Sequence, residues 1–115
     1  MELFAERVLK YADDDGNERD LILQIGKPHM NEETGDWECP IALGPPLSST
    51  ERHGAGVDPL QALLTALAIA RVEIETSKLK GRVNWGGMID CGLPDIVKGG
   101  KLVLDAASLG WPGKD

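Results

Sequence analysis

The sequence predicts an α+β domain. Its antiparallel sheet of three to five strands, built on an N-terminal meander, packs against one long helix at about residues 59–80. Three observations carry this expectation. Leu21, Leu23 and Ile25 alternate against Ile22 and Gln24. Trp37, Cys39, Ile41 and Leu43 then repeat with a clean period of two, the spacing that puts side chains on one face of a strand. After Asp58 the period changes: Leu60, Leu63, Leu64, Leu67, Ala70 and Ile74 recur at the spacing of one helix face.

The elements follow in chain order. Residues 2–11 read as a first strand, with Leu3, Ala5 and Leu9 on one parity and Phe4 and Val8 on the other, so both faces are expected to be partly covered. Asp13-Asp14-Asp15-Gly16-Asn17 is dense in turn formers, and residues 19–27 complete a hairpin. Gly26-Lys27-Pro28 ends that strand, and 30–35 is a polar connection. The third strand spans 36–43. Pro40 lacks a donor, so the strand should carry an edge or a bulge beside it. Residues 44–56 are irregular, with 51–56 able to add a short fourth strand.

The helix start is written at several levels. Asp58 is a capping residue, Pro59 suits the first helical position, and Gln61 lies three residues after the cap, where its side chain reaches back. Ala62, Ala66 and Ile69 widen the apolar stripe, while Gln61, Thr65, Arg71, Glu75 and Lys78 supply the solvent side. Gly81 is a natural residue just past a helix end at Lys80, and Lys78, Lys80 and Arg82 suit the C-terminal end of the macrodipole. Residues 82–89 read as a last strand offering Val83, Trp85 and Ile89 to the core, and Cys91-Gly92-Leu93-Pro94 as a turn. One domain over 1–96 is expected, followed by a loosely ordered tail over 97–115.

Composition narrows the function classes. A chain of 115 residues suits one domain and buries roughly 65% of its unfolded surface on folding, enough for a core without staples. Twelve Lys and Arg against 19 Asp and Glu give a net charge of −7, which phosphate backbones repel, so nucleic-acid binding is not expected. No apolar run approaches the ~20 residues of a membrane span. The start Met1-Glu2-Leu3-Phe4-Ala5-Glu6-Arg7 lacks the basic and apolar regions of a signal peptide, which places the protein in the cytoplasm. There the two cysteines, Cys39 and Cys91, are expected reduced and buried.

Few residues suggest chemistry. Asp13, Asp15 and Asn17 have the first spacing of a calcium loop, but Glu18 stands where that loop needs glycine and Gln24 where it needs a bidentate acid, so a tight turn is the better reading. Gly26-Lys27-Pro28-His29 lacks the helix N-terminus of an anion site. Cys39 shares parity with Trp37 and Ile41 and should be an inert core thiol. The ligand-binding candidates are Glu51, Arg52 and His53, in the polar stretch just before the helix. Trp37 and Trp85 are candidate core or interface anchors. No pair of cysteines has zinc spacing, and neither a metal nor a cofactor is expected.

Several segments in order carry a resemblance. They are Glu6-Arg7-Val8-Leu9, Ile25-Gly26-Lys27-Pro28, Gly35-Asp36-Trp37-Glu38-Cys39-Pro40, Gly56-Val57-Asp58-Pro59-Leu60-Gln61-Ala62-Leu63, and Trp85 followed by Gly92-Leu93-Pro94. Over about residues 2–96 the chain resembles a family of small bacterial domains of unknown function. The resemblance implies a meander plus helix and no activity. From the residues themselves, the leading expectation is a small, acidic, non-enzymatic protein-binding module, in one version an immunity or antitoxin-like protein that masks a basic partner. A homodimer is compatible with the edge near Pro40 and the alanine flank of the helix. The alternatives are a small-ligand binder or hydrolase with its site in the 44–56 loop, and a structural subunit of an assembly.

Overall fold

Four strands cross the sheet in the order in which the chain makes them, and the helix carries the chain back to the starting edge. The computed structural model describes residues 1–48, 50–88, 90–96 and 102–103. The strands are β1 (Leu3–Ala12), β2 (Glu18–Gly26), β3 (His29–Met30), β4 (Trp37–Leu43) and β5 (Arg52–Gly56). Helix α1 (Pro59–Glu75) follows, then β6 (Val83–Asn84), β7 (Asp95–Ile96) and β8 (Leu102–Val103). β1 pairs with β2, β2 with β4 and β4 with β5, all antiparallel; β6 returns to the free side of β1, with Lys10 opposite Asn84 and Tyr11 opposite Val83. β7 and β8 pair antiparallel as a separate two-stranded sheet.

The main sheet thus has six strands, beyond the three to five expected, because two are single pairs of residues. One of these, β3, straddles the strand-ending turn at His29 and the start of the polar connection at Met30. Pro40 explains it. On one side β4 pairs continuously with β5; on the other it pairs with β2 at 41–43 and with β3 at 37–38. The ladder breaks opposite Cys39 and Pro40, where proline has no N–H to give.

Leu9, Leu21, Leu23, Cys39, Ile41 and Leu43 face the helix layer and are buried, as their parity required. The outer face is different. Val8 and Ile22 are cross-strand neighbours there and stay 47% and 36% exposed, so β1 is covered on one face only. A single helix can cover only one face of a sheet. A bulge between Leu3 and Ala5 also ends the alternation early, leaving Leu3 exposed.

The helix begins where its cap predicts. The Gln61 amide donates to Asp58 Oδ1 at 2.7 Å, and the Gln61 side chain accepts from the Val57 amide at 2.7 Å, one residue ahead of the cap. It ends at Glu75, five residues short of expectation. The Thr76 N–H still reaches the Val72 carbonyl at 2.9 Å, but the Ser77 N–H bonds the Ile74 carbonyl only three residues back, at 3.2 Å, and Ser77 Oγ donates to the same oxygen, so the helical ladder gives way to a tighter turn. Gly81, at φ +75°, serves a later turn, and the Lys78, Lys80, Arg82 cluster lies beyond the helix rather than in its last turn. The expected strand over 82–89 shortens to Val83–Asn84 plus one bridge between Trp85 and Met88, with Ile89 outside the described residues. The loosely ordered tail expected over 97–115 likewise lies outside them, apart from Leu102 and Val103.

The face of α1 buried on the core is Ala62, Ala66, Ala70 and Ile74, and Ala68 is buried as well. The leucines predicted at its centre sit on its flank, and Leu60 is 63% exposed. The cause lies on β5. A Cβ on Gly54 would collide with the Ala66 amide and stand 2.5 Å from the Ala62 carbonyl oxygen, and one on Gly56 would stand 2.5 Å from the Ala62 amide nitrogen. Strand and helix backbones therefore meet, and only alanine fits between them. Gly54→Ala should lower stability by about 3 kcal/mol or more through overpacking against backbone. Gly44→Ala, where the new methyl would find ordinary contact at 3.5 Å from the Ile22 carbonyl oxygen, should change it by less than about 1 kcal/mol. Urea midpoints of the two variants provide the comparison.

Candidate functional site

Two concavities lie on opposite faces of the sheet. The larger, of about 430 Å³, is on the outer face and is lined by Met1, Glu2, Lys27, Pro28, His29, Pro40, Glu51 and His53. Its histidines come from β3 and β5 and reach toward each other across Pro40 of β4. Their rings stand 6.4 Å apart, nearly perpendicular. His53 Nε2 is 3.4 Å from Glu51 Oε2, and His29 Nε2 is 4.0 Å from Glu38 Oε2. The other oxygen of Glu38 accepts from Asn31 Nδ2 at 2.7 Å. The predicted trio therefore splits. Glu51 and His53 share this cavity, whereas Arg52, one residue on, points to the helix side and approaches Glu73 of α1 at 3.4 Å. Alternation along a strand makes this inevitable. His29, read as part of a strand-ending turn, is the member that sequence reasoning missed; its pairing with Glu38 depends on a two-residue strand with no periodic signal. Among the described residues no three His, Cys, Asp or Glu side chains converge closely enough to hold a metal ion.

The second concavity is an apolar groove of about 290 Å³ on the helix side. β1 supplies Phe4 to Arg7, β2 supplies Leu23 and Ile25, α1 supplies Leu63, Leu64 and Leu67, and the return loop supplies Gly92, Leu93 and Pro94. It continues at Phe4 and Leu63 into a shallower depression with Trp37, Pro28, Pro59 and Leu60. The groove exists because α1 lies over β4 and β5, drawn there by the glycines of β5, and leaves the ends of β1 and β2 to be covered by its leucine flank and by a loop.

Two arginines hold that loop. Arg7 Nη1 donates to the carbonyls of Cys91 and Gly92 at 3.2 and 3.3 Å, and its guanidinium lies 3.9 Å from the centre of the Trp85 ring. Arg71 donates to the Leu93 carbonyl at 2.5 Å and pairs with Asp90 and Glu75, each at 3.0 Å. Burial pulls the Arg7 guanidinium below its usual value, but an arginine stays charged, so its partners must remain in place. Gly92 sits at φ +68°, and a Cβ there would meet the Trp85 ring, 2.7 Å from Cζ3. Trp85, a predicted interface candidate, is thus half-buried as the platform of this clamp; Trp37 is half-buried and edges the groove.

These contacts give physical roles to the segments that carried the resemblance. Arg7, Trp85 and Gly92 meet, and the Cys39 thiol donates to the Gly26 carbonyl at 3.5 Å. A family model for a domain of unknown function (DUF6968) matches residues 5–95. The chain belongs to the DUF6968 family. No curated protein and no solved structure matches it.

Both cysteines of the DUF6968 chain are buried, free thiols, and burial pushes each above its ordinary range. The unfolded chain should lose these protons first as pH rises. Stability should thus be full below the ordinary thiol value of 9.0 and fall above it, by at most about 1.4 kcal/mol per pH unit for each thiol. Urea titrations at pH 7, 9 and 10 measure this. A Cys39→Ala, Cys91→Ala variant should start less stable and show a smaller slope. Separately, Arg7→Met should cost about 2–3 kcal/mol, by loss of two hydrogen bonds and the ring contact, with a red-shifted tryptophan emission as the loop leaves Trp85.

Proposed function

We propose that this DUF6968 domain is a small, acidic, non-enzymatic protein-binding module of the bacterial cytoplasm, and that its partner seats in the groove between β1, α1 and the 92–94 loop. The observation that supports this most is the groove itself. It joins a second apolar depression at Phe4 and Leu63; Phe4 is 59% exposed there, and Leu60, within that depression, is 63% exposed. Connected apolar surface of this kind marks interaction sites on soluble domains. The charge of −7 favours encounter with a basic partner and an association that weakens with salt. The polar residues that first suggested chemistry have structural occupations. Asp13 Oδ1 accepts from the amides of Asp15 and Asn17 and Oδ2 from Arg19, Asp58 caps α1, and Cys39 is buried.

A second reading rests on the outer cavity, where His29 joins His53 and Glu51: a small anionic or zwitterionic ligand could bind between the imidazoles. Ligand-induced shifts in the His29 and His53 ring signals would support it.

The test is affinity capture of the full chain from host lysate at low and high salt, beside a Leu64→Arg variant shown by its thermal melt to be folded. One stoichiometric partner should be retained by the wild type at low salt, weakened at high salt and lost with Leu64→Arg. Capture that survives Leu64→Arg, or no partner at either salt, would overturn the groove reading.

A further inference from the structure

Resting on that reading, we infer that the groove receives an extended segment of the partner as an added antiparallel strand on β1, with a lysine or arginine opposite Glu6 and apolar residues on either side of it. The Ala12 N–H donates to the Arg82 carbonyl of the β6 segment at 3.1 Å, so even-numbered positions of β1 turn their N–H and C=O toward that edge. β6 occupies the edge only at its far end, opposite Lys10 and Tyr11. Between Ala5 and Leu9 no strand pairs with it among the described residues, so the main-chain groups that Glu6 and Val8 turn to that side have no ladder partner there. The groove runs along this stretch. Four consecutive residues, Phe4 to Arg7, line it, so it follows the main chain of the strand and not merely one face. An open edge beside an apolar groove is the arrangement that strand addition uses: the ladder supplies affinity and alternate side chains find pockets.

Charge decides what fits. The Arg7 guanidinium is engaged by the Cys91 and Gly92 carbonyls, so the charge that the edge presents outward is Glu6. A second copy is the poorer occupant. Two-fold pairing within Ala5–Leu9 sets either Glu6 opposite Glu6 or Arg7 opposite Arg7, and like charges directly opposite are unfavourable. Pairing centred on Val8 needs Lys10, already held by Asn84, and pairing centred nearer the start meets the bulge before Ala5. A partner strand with a basic residue opposite Glu6 avoids all three. Its flanking residues then turn toward Leu64 and Leu67, and the next pair toward Val8 and Phe4.

The experiment uses the full chain, isotope-labelled, with the capped peptide Val-Leu-Lys-Leu-Val and its Val-Leu-Glu-Leu-Val counterpart. In the free chain the Glu6 and Val8 amides should exchange faster than those of Arg7 and Leu9. The lysine peptide should shift and protect them saturably and bind about fivefold more tightly than the glutamate peptide. Glu6→Lys should reverse that preference, and N-methylation of the central peptide residue should abolish binding. Glu6 and Val8 amides already protected in the free chain, equal affinity for the two peptides, shifts confined to the His29–His53 cavity, or a dimer in sedimentation that buries this edge would each overturn the inference. A captured partner that is lost with Leu64→Arg yet leaves the Glu6 and Val8 amides unshifted would overturn strand addition alone and leave the binding-module reading standing.

Discussion

The contact between the backbones of β5 and α1 organises this molecule. Gly54 and Gly56 lack the Cβ atoms that would hold the helix away, and Ala62 and Ala66 face them with the smallest side chains that keep a helix stable. Close packing of this kind has little tolerance, since interiors are filled to crystal-like density and a single methyl must displace main chain. It also sets the rotation of the helix. With the alanine face against β5 and β4, the leucine face turns toward the ends of β1 and β2. The core and the groove are two consequences of one constraint.

The part of the helix-side face that α1 leaves open, over β1 and β2, is then bordered by a loop. A loop has main-chain groups to satisfy, and here they are met by side chains from two elements far away in sequence: Arg7 from β1 and Arg71 from α1 bind the carbonyls of residues 91–93. Trp85 provides a flat surface for Arg7 on the one hand and for Gly92 on the other. The loop is thereby tied to the fold at its start, while Leu93 and Pro94 continue as a wall of the groove. A wall held in place by these contacts would let the proposed partner strand bind without that loop first having to order.

Much of this was readable in advance, though unevenly. The hairpin, the β4 parity and the capped helix start were visible because each depends on residues within a few positions of one another. The interruption at Pro40 was visible for the same reason, since a missing N–H is a property of one residue. The candidate site was only half visible. Glu51 and His53 lie beside one another, yet Arg52 between them belongs to the other face, and His29 arrives through a strand too short to leave a pattern. The helix end was misplaced because Gly81 is a strong local stop signal, whereas the ladder already tightens at Ser77, whose N–H and hydroxyl both take the Ile74 carbonyl, a weaker signal.

By itself, then, the sequence determined the type and order of the long elements, the parity of their core residues, the acidity of the surface and membership of one recognisable pattern. These follow from short-range periodicity, capping chemistry and composition. Tertiary structure alone decided which face of the helix points down, that β6 returns beside β1 only opposite Lys10 and Tyr11, and that Arg7, Trp85 and Gly92 meet. Those outcomes depend on what a residue lacks as much as on what it carries: Gly54 matters through an absent methyl, and its effect appears only once Ala66 lies against it.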